Sequence, residues 1–286
     1  MWIVNLNYWG CNQYITQRAL GADIKTARNG ILFAASLKLL MPIIVVLPGI
    51  AAYSLYQRGM FQEEMLGQDG LIAPDKAYPV LLSLLPAGLK GLSFAALTAA
   101  VVASLAGKAN SISTIFTLDI FKNYIGKDKS EKELVFIGRI AIMVAMVLAI
   151  IVAPYMGIDK KGGFQFIQEM TGLVSPGVFA AFIMGFFWKR TNSAGALFAI
   201  VGGFLLALAM HNNVLPFADW TNVPFLDRMG IVFAICVAVM ILLGYGLKEE
   251  NKGLAIDVSM FKVHQTFGIG ATIVLSIIAF LYYYFW

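Results

Sequence analysis

Residues 30–56 read GILFAASLKLLMPIIVVLPGIAAYSLY, and this stretch decides the fold. An α-helix needs about 20 consecutive apolar residues to cross the hydrocarbon core of a bilayer. The stretch exceeds that length with a single charge, Lys38, and such a run reads as a membrane span rather than as a helix of a soluble core. Comparable runs follow at 91–121, 134–156, 164–188, 193–211, 228–247 and 264–286, whereas the opening run, 2–16, is too short to span. The 286 residues are 59% hydrophobic and 13% charged, with a mean hydropathy of +0.78, far from the balance of a soluble domain. The expected class is an all-α polytopic membrane protein with lipid as its surroundings. No charged start, short apolar core and small-residue cleavage site mark a signal peptide, so the spans themselves direct insertion.

A net charge of +5 would suggest nucleic acid for a soluble protein, but in a membrane chain the placement of Lys and Arg among the loops carries the information. If the first short helix runs inward, thirteen basic residues fall inside: Arg18, Lys25, Arg28, Lys122, Lys127, Lys129, Lys132, Arg139, Lys189, Arg190, Lys248, Lys252 and Lys262. Six fall outside, namely Arg58, Lys76, Lys90, Lys160, Lys161 and Arg228. The positive-inside rule then puts Trp286 outside. The longest outer segment, 57–89, holds a short helical run, AYPVLLSLL, framed by prolines and glycines.

Prolines interrupt two spans. Pro42 and Pro48 lie in 30–56, and Pro176 lies in GLVSPG at 172–177. A proline removes a backbone donor and disfavours helix at the residue before it, so broken helices are expected at these points. Backbone freed in a membrane must be buried in protein or face a water-filled cavity, which is how transporters build sites near the midplane.

Polar residues inside apolar runs are the candidates for function. The opening stretch MWIVNLNYWGCNQYITQR puts Asn5, Tyr8 and Asn12 on one helical face with Trp9 beside it. Amides next to an aromatic ring suit a ligand that bears hydroxyls on a ring; the plainer reading is a polar face bonded across a helix contact. Lys38 costs about 2.5–3.5 kcal/mol at a helix centre on insertion scales, so it serves a ligand or snorkels to the surface. In FAALTAAVVASLAGKANSISTIFTLDIF (94–121), small residues recur from Ala95 to Gly107. They either pack against another helix or expose carbonyls and hydroxyls to a hard cation such as Na⁺. In GGFQFIQEMTGLVSPG (162–177), Gln165, Gln168 and Glu169 share a face; glutamine at a cavity mouth can bond hydroxyls, and the plainer alternative has Glu169 facing the outer aqueous layer. His211 and His264 fall near span ends, and Cys11 and Cys236 read as structural thiols. No P-loop, G-x-S-x-G elbow, H-x-x-x-H or C-x-x-C pattern occurs, so enzyme chemistry has no support.

The stretches NLNYWGCNQYITQR, LKLLMPIIVVLPGIAAY, ASLAGKANSISTIFTLDIFK and QEMTGLVSPG resemble the sodium:solute symporter family, and most closely its bacterial sodium/galactose-type members. The resemblance implies a leucine-transporter-type fold of two inverted repeats, with sugar and Na⁺ bound at the midplane of a bacterial inner membrane. It implies that Asn5, Lys38 and Gln168 bind sugar and that Tyr8, with Trp9 next to it, forms the inner gate. It also implies that Ala100, Ala103 and Ser104 hold sodium. Two features depart from the family: Ala103 lacks the hydroxyl common there, and Lys108, about 6 Å along the helix from Ser104, would repel a bound cation unless it points to water. Family members are about twice as long. The expectation is therefore a second repeat at 1–188 with its first helix truncated, peripheral spans at 189–286, and a partner N-terminal half that carries the sugar's other wall. Symport of another organic solute, a membrane sensor or scaffold, and a channel are the alternatives.

Overall fold

The computed structural model describes residues 2–67, 69–155, 163–216, 218–247 and 258–285, with the side chains of Arg18, Val258 and Ser259 left aside. Lys160, Lys161, Lys248, Lys252 and Trp286, all used in the sidedness count, lie outside the described residues. The helices in chain order are α1 (Trp2–Gly10), α2 (Gln13–Leu20), α3 (Ile24–Lys38), α4 (Met41–Gln57), α5 (Ala77–Ser83), α6 (Ala87–Thr114), α7 (Lys122–Tyr124) and α8 (Glu131–Val152). They are followed by α9 (Gly163–Phe187), α10 (Ser193–Leu197), α11 (Gly203–His211), α12 (Phe225–Gly246) and α13 (Gln265–Phe285). A π-helical stretch, Ile115–Phe121, joins α6 to α7, and another, Phe198–Gly202, joins α10 to α11. Each apolar run expected to span is a helix long and apolar enough to cross a membrane: Ile24–Gln57, Ala87–Tyr124, Glu131–Tyr155, Gly163–Phe187, Ser193–His211, Phe225–Gly246 and Gln265–Phe285. No strand occurs among the described residues beyond one antiparallel bridge, Leu66 with Ile72.

The expected breaks are only partly present. Around Pro42 the helix does stop: Leu39 and Leu40 donate to the carbonyls of Ser36 and Leu37, three residues back, before α4 starts with proline in its first turn. That is where proline costs least. At Pro48 and Pro176 the expectation is wrong, since α4 and α9 run through both. Proline removes one hydrogen bond, but without water every other backbone group still has to be satisfied within the helix, which favours continuing it. In α9 the Ser175 hydroxyl turns back to the Thr171 carbonyl, and the carbonyl that Pro176 deprives belongs to Gly172, which brings no side chain into the crowded turn.

The chain divides into two compact units. The first comprises Met1–Ala27 and Phe164–Thr272. Its core is the packing of α9, α10 to α11, and α12 around Ala180, Ala181, Met184, Ala199, Ala207, Met210, Val232, Cys236 and Met240. Lipid tails are as apolar as leucine, so membrane helices associate through close van der Waals contact at small residues. Gly177 and Gly203 do this here. A Cβ on Gly177 would sit 1.9 Å from the Ala199 carbonyl oxygen, and one on Gly203 would sit 2.7 Å from Cys236 Sγ. Asn192, buried, caps α10 by accepting from Gly195 N at 2.8 Å and donates to the Leu243 carbonyl on α12 at 2.9 Å.

The second unit comprises Arg28–Gly163 and Ile273–Trp286. Here α6 packs on α8, where Gly138 lets the Ser113 hydroxyl within 2.4 Å of where a Cβ would be. The segment after α4 folds back on it: Ala52, Met65 and Val80 form a buried cluster with Tyr56, Phe61, Ala77 and Leu81. Ala73 N bonds Met65 O at 2.9 Å, Lys76 Nζ donates to the Leu66 carbonyl, and Gly163 N donates to Asp75 Oδ2 at 2.7 Å. The short helix expected in AYPVLLSLL is α5.

Candidate functional site

The side chains that the sequence singles out fall in both units. Asn5, Tyr8, Trp9 and Gln168 belong to the first, and Lys38, Ala100, Ala103 and Ser104 to the second.

On α1 the hydrophobic Val4 is buried while Asn5 and Tyr8, one turn apart, are exposed. Trp9 is half-buried and meets Tyr8 edge to face, ring centroids 5.9 Å apart at 85°, a geometry that the ring quadrupoles favour. The result is an open polar and aromatic face. Asn12 does not extend it, contrary to the seven-residue spacing, because α1 ends at Gly10. Asn12 instead caps α2, its Oδ1 accepting from Tyr14 N at 3.1 Å. Free helix N–H groups recruit such residues, and an amide two residues past a glycine is a cap signal. Asn7 lies on another side of α1 and buries its Oδ1 without a hydrogen-bond partner.

Lys38 is the last residue of α3 and is exposed. Ala100, Ala103, Ser104 and Lys108 are all exposed on α6, whose one buried residue is Ser111, within a turn beyond Lys108. The small-residue stripe is therefore not consumed by packing within its own unit. Closer to α7, Thr117 in the π-helical stretch is buried with no hydrogen-bond partner for its hydroxyl.

The first two turns of α9 carry the clearest surprise. Gln165 is exposed and Gln168 half-buried, but Glu169 is buried, 7% exposed, instead of facing an outer aqueous layer. Gln165 Nε2 donates to Glu169 Oε1 at 3.0 Å. Glu169 lines a small cavity among α9, α11 and α12 with His211, the last residue of α11, and Arg228, in the first turn of α12. The remaining walls are Gly172, Leu173, Ala207, Phe225, Met229 and Val232. A carboxylate between such walls is costly unless donors compensate it, and Gln165 supplies one such donor while Arg228 places a cation on the same cavity. Sequence reading missed this cluster because its members come from three spans. The available signal was a glutamate inside an apolar run with glutamine four residues before it.

Known proteins share this chain's sequence over much of its length. The sodium:solute symporter family profile matches residues 2–203. A protein of Vibrio parahaemolyticus called sodium/glucose cotransporter is 42% identical over 299 aligned residues, which cover 100% of this chain and 53% of that protein. Human sodium/myo-inositol cotransporter 2 is 38% identical, covering 73% of this chain and 32% of its own length. Bovine sodium/myo-inositol cotransporter is 37% identical, over 70% of this chain and 29% of its own. The chain thus spans about half the length of the bacterial relative and about a third of the mammalian ones.

Proposed function

We propose, from the premise that the chain belongs to the sodium:solute symporter family, that it forms part of a carrier moving a sugar such as galactose or glucose together with sodium by alternating access. The observation that carries this reading is the open face of α1, where the Asn5 amide and the Tyr8 ring stand exposed one turn apart while Val4 is buried. The names of the Vibrio and mammalian relatives, a glucose and two myo-inositol cotransporters, support a ring-shaped polyhydroxylated solute.

In this reading Asn5, Lys38 and Gln168 hydrogen-bond the sugar hydroxyls, the lysine as donor and the amides as both donor and acceptor. Tyr8 closes the site on the inner side, braced by the Trp9 ring. Sodium, a hard cation that takes oxygen ligands, meets the carbonyls of Ala100 and Ala103 and the Ser104 hydroxyl on α6. Ala103 contributes no hydroxyl, so the site has one side-chain ligand fewer than two serines would provide. Residues 1–188 form the second inverted repeat of a leucine-transporter-type core and 189–286 peripheral spans. A segment equivalent to the rest of the bacterial relative's length supplies the other wall, and the home of the assembly is a bacterial inner membrane. Sodium stabilises the outward-open state with a competent sugar site, so the ion gradient drives both solutes inward.

The test is uptake of labelled galactose, glucose and myo-inositol by cells expressing the gene's full product, with sodium replaced by choline in parallel. Sodium-dependent uptake of a hexose is the expected result; uptake of an organic acid or amino acid instead, or none that depends on sodium, overturns the reading. Ser104→Ala is expected to raise the sodium concentration for half-maximal uptake, and an unchanged sodium dependence removes Ser104 from the ion site.

A further inference from the structure

α9 ends at Phe187, and the turn that follows, 188–192, is fastened to the first unit at several points. The Thr191 hydroxyl donates to the Met184 carbonyl at 2.7 Å, and both residues are buried. Asn192 Nδ2 donates to the Leu243 carbonyl at 2.9 Å. Gly244, next to it in α12, makes room for the turn: a methyl group there would overlap the Trp188 ring and lie 2.6 Å from the Arg190 carbonyl oxygen. Tyr245 meets the Trp188 ring with centroids 5.9 Å apart, and the Arg190 guanidinium lies over the Tyr245 ring, 4.6 Å from its centroid. A guanidinium stacked on a ring has one face covered and keeps its N–H edges for oxygen acceptors. Arg190 and its neighbour Lys189 are both exposed, and among the described residues no carboxylate pairs with either. Phe187 in turn meets Phe261, ring centroids 6.4 Å apart, which brings the exposed Lys262 to the same end of the unit.

These groups sit where α9 and α12, both long and apolar enough to cross a membrane, come to their ends. Tryptophan and tyrosine at such ends lie at headgroup level. Within a turn toward the bilayer, Phe186 and Leu242 are exposed and offer an apolar wall. We infer that this end of the first unit binds the phosphate of an anionic phospholipid, with Arg190 as forked donor, Lys189 as second cation and the Trp188–Tyr245 pair as its floor. Arginine suits the task because its planar fork meets two phosphate oxygens at once, and one without a carboxylate partner has no ion pair to give up. The apolar wall beside the cations is what favours a lipid over free phosphate, since it has a surface for acyl chains. Basic groups at the ends of membrane helices are a known means of holding such headgroups. The site stands apart from the proposed sugar and sodium residues and does not depend on them.

The test is the melting temperature of the full gene product purified in detergent, with phosphatidylglycerol, phosphatidylcholine of the same chains, or inorganic phosphate added in equal amount. A ligand that binds only the folded protein raises this temperature. Phosphatidylglycerol is expected to raise it by about 3 °C more than phosphatidylcholine, and inorganic phosphate to leave it unchanged. Lys189→Gln with Arg190→Gln should remove most of that difference. Lys127→Gln with Lys132→Gln, which deletes as much charge from exposed lysines of the second unit, should keep it. Arg190→Lys and Tyr245→Leu each keep the charge but lose the fork or the floor, so both are expected to lower the difference by about half or more. Every variant is compared with its own value in phosphatidylcholine, so a fold weakened by the substitution still gives a reading. A rise of equal size with phosphatidylcholine or inorganic phosphate overturns the inference. So does a rise that survives the loss of Lys189 and Arg190, or one that falls as far in the Lys127 and Lys132 pair.

Discussion

At the scale of single residues, the glycines of the first unit make the sharpest claim. Gly177→Ala would put a methyl group 1.9 Å from a backbone oxygen, and backbone cannot swing aside as a flexible side chain can. The expected loss is about 1–3 kcal/mol, read as a lowered melting temperature of the detergent-purified protein. Gly230→Ala is the control, because a Cβ there meets nothing within 4 Å and alanine is the better helix former; equal melting temperatures for the two variants would contradict the close approach. Asp23 makes a claim about pH. It precedes α3 and accepts from the Thr26 hydroxyl at 2.5 Å and from Thr26 N at 3.0 Å, and these bonds, the hydroxyl's foremost, hold its carboxyl below the usual carboxylate range. A depressed acid stabilises the fold above its unfolded-state value and loses that contribution as pH falls through its folded-state value. Exchange of the Thr26 amide is therefore expected to speed up, relative to amides farther along α3, as pH drops below the ordinary aspartate range, and in Asp23→Ala to be fast throughout. Exchange that does not respond to acid would remove Asp23 as the cap.

At the scale of elements, helix starts are set by caps that local spacing encodes. Ser130 and Glu133 form a capping box at the start of α8: Glu133 N donates to Ser130 Oγ at 3.4 Å and Ser130 N donates to Glu133 Oε2 at 2.9 Å. The S-x-x-E spacing in SEKE (130–133) is readable from sequence alone. Ser130→Ala is expected to cost about 1 kcal/mol, seen as faster proteolysis or amide exchange in the first turn of α8. Asn192→Ala should cost more, since it removes both the α10 cap and the bond to the Leu243 carbonyl. Prolines were the poorer guide, because a local rule about donors and clashes competes with the absence of water around the rest of the helix. In α4 and α9 the second effect wins; before Pro42, two short-range bonds at Leu39 and Leu40 show the first.

At the scale of the molecule, the balance of basic residues predicts which loops face which side. A single cysteine at Lys127, in the segment between α7 and α8, should react with impermeant reagent only from the cytoplasmic side. One at Glu63, after α4, should react only from outside. The reverse pattern would invert the topology and with it the proposed direction of sugar movement, because the positive-inside rule is the sole ground for the orientation.

Sequence by itself determined the number, order and approximate ends of the seven spans, because hydrocarbon demands long apolar runs and satisfied backbone wherever a chain crosses it. The same demand made Asn5, Tyr8 and Lys38 conspicuous, since polar groups in apolar runs need a reason to be there. Local bonds spend Asn12 on a helix cap and Gln165 on a carboxylate; what remained was decided by tertiary structure. It alone buried Glu169 beside His211 and Arg228, residues 42 and 59 positions further along the chain. Burial is a property of how helices pack, and close packing at glycines such as Gly177 and Gly203 depends on which faces meet, a choice that no periodicity within a uniformly apolar helix can encode.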